Sequence, residues 1–217
     1  MATRPRTYGQ RCGLAFSLDL LGERWTLLIL RELDRGPKRF GDLLEGLDGI
    51  GSNLLSARLK SLQEAEVVEQ VILPPPVSSP AYGLAERGLK LQPILEDLAL
   101  WGFELIPDLD QSPELTTKAT WAAMSMKAAM DRNPTSPPEG IFGFEVGAEN
   151  FWLRVSDGES ILRDGPPPFE PDAAIRLSGE RFFGVASGRL ALADSQAEIR
   201  GDLPRLEALL CTFRLPE

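Results

Sequence analysis

Between Gly36 and Pro76 the chain reads GPKRFGDLLEGLDGIGSNLLSARLKSLQEAEVVEQVILPPP, and its hydrophobic period changes three times. Gly36-Pro37 is a helix stop, after which Phe40, Leu43, Leu44 and Leu47 recur at helical spacing. The turn Asp48-Gly49-Ile50-Gly51 interrupts them. Leu55, Leu59 and Leu62 then give a second helix a narrow apolar stripe, while its other faces carry Ser52, Asn53, Ser56, Arg58, Lys60 and Ser61. Val67–Leu73, next in line, is short and β-branched. Ala81–Leu84 is its natural antiparallel partner, across a loop stiffened by Pro74, Pro75, Pro76 and Pro80. Few folds accept two short helices, a glycine turn and a hairpin in that order.

The flanking segments narrow the choice. Leu14–Leu21 and Trp25–Leu33 read as helices, the second with Trp25, Leu28, Ile29 and Leu33 at helical spacing. Glu86–Ile106 reads as one long helix with Leu91, Ile94, Leu95, Leu98, Trp101 and Leu105 on one side, kinked by Pro93 or carrying it in its first turns. Pro107–Thr117 is polar and has the composition of a linker. An Ala-rich helix with Trp121, Met124, Met126 and Met130 follows and ends before Asn133-Pro134. Strand signals come next, at Ile141–Val146, Phe151–Val155 and Ser160–Leu162, separated by hairpin-type turns at residues 147–150 and at Asp157-Gly158. Beyond Pro166-Pro167-Pro168 the order is strand Ala173–Leu177, helix Gly179–Ala186, strand Ala197–Ile199 and helix Leu203–Phe213. The expected fold is multi-domain α+β. Residues 1–110 form a winged helix-turn-helix, mainly helical with a hairpin wing, and residues 111–217 form an α/β layer.

Composition removes whole classes of chemistry. The 217 residues contain no histidine, which excludes Ser-His and Cys-His nucleophile pairs and every imidazole zinc site. Cys12 and Cys211 belong to no ligand-spaced pair, so neither a metal site nor a disulfide framework is expected, and a reduced, cytoplasmic setting fits. No Gly-rich phosphate loop or paired-carboxylate constellation stands out, so the expectation is no catalytic residue, no cofactor and no enzyme. The N-terminus MATRPRTYGQ lacks an apolar core for a signal peptide, and no 18-residue apolar run suggests a membrane span. The formal charge is −9, and its distribution matters more than its size. Acidic and basic residues balance over residues 1–80, and the acidic excess lies beyond them.

A winged helix-turn-helix places its second helix in the major groove, and the residue types here suit that role. Ser52 and Asn53 sit near a helix start, where free backbone N–H groups favour phosphate, and Ser56 lies one turn on. Arg58 and Lys60 can neutralise phosphates, and an arginine can fork onto guanine. Lys38 and Arg39 are natural backbone clamps. Taken alone, the same helix is equally a solvated amphipathic surface.

Three separated blocks strengthen the first reading: CGLAFSLDLLGERWTLLILREL, GPKRFGDLLEGLDGIGSNLLSARLKSLQEAEVVE and YGLAERGLKLQPILEDLALWG. Over residues 8–106 the chain resembles the HxlR-type transcriptional regulators, a bacterial-type branch of winged-helix proteins related to the MarR group. The resemblance implies a homodimer on double-stranded operator DNA. It implies a recognition helix at Ser52–Glu64, a wing at Val68–Leu84, and dimer-forming helices at the N-terminus and at Glu86–Leu105. Two positions depart from the pattern. Glu66 stands where these proteins commonly carry glycine, at a cost of about 1 kcal/mol if φ there is positive. The wing VILPPPVSSPAY has no Lys or Arg, so its electrostatic contribution should be weak. Some members sense oxidants through an N-terminal cysteine. Cys12, preceded by Arg11, is either such a residue or a small packing group buried at a dimer interface.

The segment PDAAIRLSGERFFGVASGRLALADSQAEIRGDLPRLEALLCTF resembles the sterol carrier protein type 2 family, with Asp202 in position to cap the last helix. That resemblance implies a curved sheet and helices enclosing an apolar tunnel for a hydrophobic small molecule. Candidate lining residues are Trp121, Phe142, Phe144, Phe151, Trp152, Phe182 and Phe183, each of which is also plausible ordinary core. Arg154, Arg176 and Arg189 are candidates for meeting an anionic head, or are surface charges. Two functions stay open: a homodimeric regulator that answers to a hydrophobic effector, and a lipid or acyl-chain carrier whose winged helix serves only dimerisation or protein contact.

Overall fold

The computed structural model describes residues 7–103, 105 and 118–213. The chain divides into two compact units, Met1–Leu95 and Glu96–Glu217. The linker expected at residues 107–117, and with it the joint expected near residue 110, falls outside the described residues. The boundary between these two units lies inside a helix. Glu96 and Asp97, the first residues of the second unit, pair with Lys127 and Arg132 further along that unit.

The first unit runs α1 (Gly13–Leu21), α2 (Thr26–Asp34), α3 (Phe40–Gly46), α4 (Ser52–Glu64), β1 (Val68–Ile72), β2 (Pro80–Leu84), α5 (Glu86–Leu89) and the start of α6 (Gln92–Phe103). Its core joins Ile29, Leu30 and Leu33 of α2 to Leu43, Leu47, Leu55, Leu59 and Leu62. All but Leu30 are among the residues whose helical spacing marks these helices in the sequence, whereas Leu28, expected on the same face of α2, is exposed. The hairpin is antiparallel, from Val68 opposite Leu84 to Ile72 opposite Pro80. Lys38 adds a one-residue third strand, its backbone N–H donating to the Tyr82 carbonyl at 2.9 Å and its carbonyl accepting from Tyr82 N–H at 2.8 Å. The entry to α3 is thereby fixed to the wing.

The single helix expected over Glu86–Ile106 is two helices. Lys90 and Leu91 separate α5 from α6, and Pro93 is the second residue of α6. In an unbroken helix its ring would meet the Leu89 carbonyl; at a helix start the missing N–H costs nothing. Gly88 is held by close approach, since a Cβ there would lie 2.2 Å from the Val67 carbonyl oxygen. Glu66, between α4 and β1, has φ +58°, so the glycine-favouring conformation is carried by a glutamate.

The second unit contains the remainder of α6, then α7 (Ala119–Asp131), β3 (Gly140–Val146), β4 (Glu149–Ser156), β5 (Glu159–Asp164), β6 (Ala173–Leu177), α8 (Gly179–Ala186), β7 (Glu198–Gly201) and α9 (Leu203–Thr212). A 3-10 turn at Leu192–Asp194, which no periodicity announces, precedes β7. The sheet order is β5-β4-β3-β6-β7, with β3 and β6 parallel and the other neighbours antiparallel. Alternate strand residues, among them Phe142, Phe144, Phe151, Leu153 and Ile175, face one core with Met126 and Met130 of α7, Phe182 of α8, and Leu206 and Leu209 of α9. Side chains satisfy the helix starts. The Glu149 carboxylate accepts from Ala119 N–H at 2.8 Å, Thr120 N–H at 3.1 Å and the Thr120 hydroxyl at 2.7 Å. Asp202 caps α9 by accepting from Arg205 N–H at 3.0 Å, in the role its sequence position suggests. Among the described residues no helix is long and apolar enough to cross a membrane.

Candidate nucleic-acid interface

Helix α4 buries Leu55, Leu59 and Leu62 and leaves Ser52, Asn53, Ser56, Lys60 and Ser61 exposed. Its N-cap is Gly51, which supplies no side-chain cap, so the backbone N–H groups of Ser52 and Asn53 stay open towards solvent. The preceding turn uses Gly49 at φ +88°. A polar, uncapped helix start with short hydrogen-bonding side chains is thus presented after a tight turn, and the wing follows it in sequence. That face can offer backbone N–H groups to a phosphate and Ser or Asn groups to base edges.

The cations are arranged differently from the expectation. Arg39 is closed onto Asp42, with Nη2 at 2.7 Å from Oδ1 and Nε at 2.9 Å from Oδ2, while the Arg39 N–H also donates to Asp42 at 3.0 Å. Hydrogen bonding to the guanidinium holds the Asp42 carboxyl below the usual carboxylate range, and the same bond raises Arg39. Arg58 is tied down as well. Its Nη2 lies 2.7 Å from the Glu23 carboxylate and its Nε donates to the Arg24 carbonyl at 3.3 Å. Arg58 therefore leans onto the α1–α2 loop, on the flank of α4, and does not project from the polar face. Lys60 stands 3.8 Å from Glu64, a loose exposed pair. Lys38 is half-buried at the wing junction.

Sequence reasoning missed the loop that receives Arg58. Trp25, expected as the first residue of the helix, is the N-cap of α2 at φ +78°, and its ring edge lies 3.8 Å from the position of a Cβ on Gly49. The Arg24 guanidinium stacks over that indole, 5.4 Å from its centroid. Two adjacent charges, Glu23-Arg24, directly before a tryptophan at a helix start were the available signal. Nearby, Arg35 and Arg31 share buried Glu32 at 3.0 and 2.8 Å, and burial pulls Arg31 below its ordinary value. This cluster braces α2, where Asp34 also accepts from Gln92 at 2.8 Å. Cys12 is exposed at the N-cap of α1.

The expected lining residues of the second unit do not share one surface. Phe144, Phe151 and Phe182 pack on one another, Phe144 stacked on Phe151 at 4.8 Å between centroids and Phe182 edge-on to Phe151 at 5.7 Å. The space beside Phe144 and Phe151, closed by Ala123, Met126 and Phe213, is about 10 Å³, room for about one water. Phe142 is wholly buried, and Phe183 is half-buried against Phe182. Trp152 alternates with Phe151 and so lies on the opposite sheet face, across from Gly143 and Arg163. Trp121 is half-buried on α7 beneath Lys118, 5.1 Å away. Of the candidate head-group residues, Arg176 is engaged by Glu145 and Glu198, Arg189 by Ser187, and Arg154 is exposed on the outer face.

The HxlR-like helix-turn-helix family model matches residues 20–110. The HTH-type transcriptional regulator YodB of Bacillus subtilis (strain 168) is 40% identical over 85 residues, 39% of this chain and 76% of that protein. An uncharacterized HTH-type transcriptional regulator of Synechocystis is 34% identical over 87 residues, 40% of this chain and 64% of that one. The crystal structure of reduced YodB from B. subtilis aligns at 35% identity over 44% of this chain and 94% of that chain, with a TM-score of 0.38. The chain belongs to the HxlR-like helix-turn-helix family, whose relatives here carry the name of transcriptional regulators. The family match ends at residue 110, before α7 begins.

Proposed function

We propose that the protein is a DNA-binding transcriptional regulator that acts as a homodimer on double-stranded operator DNA and responds through its second unit to a hydrophobic small molecule. The observation that carries the first part is the outward polar face of α4, with Ser52, Asn53, Ser56 and Lys60 exposed behind an uncapped helix start. Pairing into a homodimer is supported by apolar side chains that α1 and α6 leave in solvent. These are Leu14, Phe16 and Leu18 on α1, and a stripe of Ile94, Leu98 and Trp101 on α6, where Trp101 is 60% exposed. A stripe at i, i+4 and i+7 is the pattern of a helix seeking a partner.

Support for an effector in the second unit is its interior, where apolar and aromatic side chains dominate between one sheet face and three helices. With about 10 Å³ beside Phe144 and Phe151, a ligand must part those rings to enter. It then shifts the protein only by as much as it prefers the opened arrangement.

The test is selection of duplexes from a random pool by the full chain, followed by anisotropy titration of the recovered duplex over a salt series. A regulator gives affinity that falls linearly in log–log form with salt as condensed counterions are released. A carrier whose winged helix only pairs copies gives no salt-sensitive duplex binding, and that outcome would reject the proposal.

A further inference from the structure

The α1–α2 loop holds a cation that the helix-turn-helix reading leaves without a task. In the first unit, Arg39, Arg58, Lys60, Arg87 and Lys90 each face a carboxylate, and Arg31 and Arg35 share Glu32. Arg24 is exposed and faces no carboxylate among the described residues. Its guanidinium is not loose, because it lies on the Trp25 ring, 5.4 Å from the centroid. Stacking of that kind fixes the fork while leaving its N–H edge in water.

Three contacts fix where this cation stands. The Trp25 ring abuts the Gly49 turn that feeds α4. The Arg24 carbonyl accepts from Arg58 Nε, and the neighbouring Glu23 carboxylate takes Arg58 Nη2. The loop is thus pinned both to the turn before the recognition helix and to the flank of that helix, two turns on from Ser52. Trp25 adopts φ +78° to sit there, a conformation that costs a bulky side chain about 1–2 kcal/mol. Glu23 neutralises Arg58, so the guanidinium beside it is not repelled by a second free charge.

Resting on the DNA-binding proposal above, we infer that Arg24 contacts a backbone phosphate flanking the groove that α4 enters, with Trp25 as its platform. Arg58 is a positioning residue that holds the loop in place, not a reader of bases. The ligand chemistry is a duplex phosphate diester, gripped by a guanidinium whose orientation is set before binding.

The experiment uses the full chain and the duplex recovered by selection, comparing wild type, Arg24→Ala, Arg24→Lys and Arg58→Ala in affinity against salt. Each phosphate contact contributes about 0.9 to the log–log slope, so Arg24→Ala should flatten it by about 1.8 when both copies of a dimer engage, with roughly a tenfold loss of affinity. Arg24→Lys should keep most of the slope, because the charge remains. Arg58→Ala should weaken binding with a smaller change of slope. Thermal unfolding should be unaltered by Arg24→Ala, which a merely structural role would not allow. A wild-type slope in Arg24→Ala overturns the assignment and leaves the regulator reading standing. Salt-insensitive binding by the wild type overturns both.

Discussion

Glu23 and Arg58 stand 35 residues apart in sequence and 2.7 Å apart in space, joining the loop before α2 to the flank of the recognition helix. The arginine side chain is 22% exposed and the glutamate 53%, so the pair lies at the surface, where such pairs contribute at most about 1 kcal/mol. Its consequence is one of direction and charge, since it removes a cation from the polar face and sets a carboxylate beside the face of α4 proposed to meet DNA.

Glu23→Gln should therefore strengthen duplex binding. The amide oxygen still accepts from Arg58, so the loop stays docked while one negative charge near phosphate disappears. Affinity at moderate salt is expected to rise about two- to fivefold, with a steeper salt dependence. Weaker binding in an anisotropy titration would show that the carboxylate acts otherwise.

The Arg39–Asp42 pair should be visible as a pH dependence. Hydrogen bonding to Arg39 depresses the Asp42 carboxyl in the folded protein. A depressed carboxylate contributes stability that is present above its unfolded value, about 3.9, and is lost as pH falls through the folded value. Urea unfolding of wild type and Asp42→Asn should differ at pH 7 and converge only as pH falls through the depressed folded value of Asp42. A gap that widens on acidification would contradict this.

Glu66 holds φ +58° between α4 and β1, where a side chain is strained. Glu66→Gly relieves that strain but gains unfolded-state entropy, and it gives up an exposed pair with Arg87. The strain is the larger quantity, so a net stabilisation of about 0.5 kcal/mol is expected from urea midpoints. A loss of stability would mean the ion pair outweighs the backbone.

In the second unit Lys127 bridges Glu96 at 2.8 Å and Asp131 at 2.7 Å. Burial pulls its pKa down, but the hydrogen bonds to Asp131 and Glu96 together outweigh this and leave it raised. Lys127→Met takes the ammonium away from the buried Glu96 carboxylate and should cost about 2–3 kcal/mol at pH 7, with Lys127→Met/Glu96→Leu recovering most of it. A raised lysine contributes stability that is full below about 10.4 and fades as pH climbs through the folded value, so the deficit of the single variant should shrink above that. A single variant as stable as wild type would show the bridge to be idle.

Local patterns read well where one face is buried. Three leucines and the glycine turn before them mark α4, whose bounds Ser52–Glu64 are those the family resemblance implies, and the strand Ala173–Leu177 was read from the sequence with the bounds it has. Glu66 was legible as a strained position only through the family resemblance, which puts glycine there. What periodicity cannot encode is long-range pairing. Nothing near Arg58 announces Glu23, and nothing near Ala119 announces that Glu149 of β4 will occupy the start of α7. Trp152 was legible in principle, since alternation from Phe151 puts it on the other sheet face. Treating the aromatics as one set hid that. The break at Lys90-Leu91 needed the clash between Pro93 and the Leu89 carbonyl to outweigh a continuous apolar stripe.

The proposal that α4 reads DNA rests on small polar groups, and removing them together tests it most directly. For Ser52→Ala/Asn53→Ala/Ser56→Ala, the ratio of affinities for the selected duplex and a scrambled duplex of equal length should collapse by about ten- to a hundredfold. Salt-dependent binding to the scrambled duplex should persist. A triple variant that still prefers the selected duplex as strongly as wild type would contradict the account.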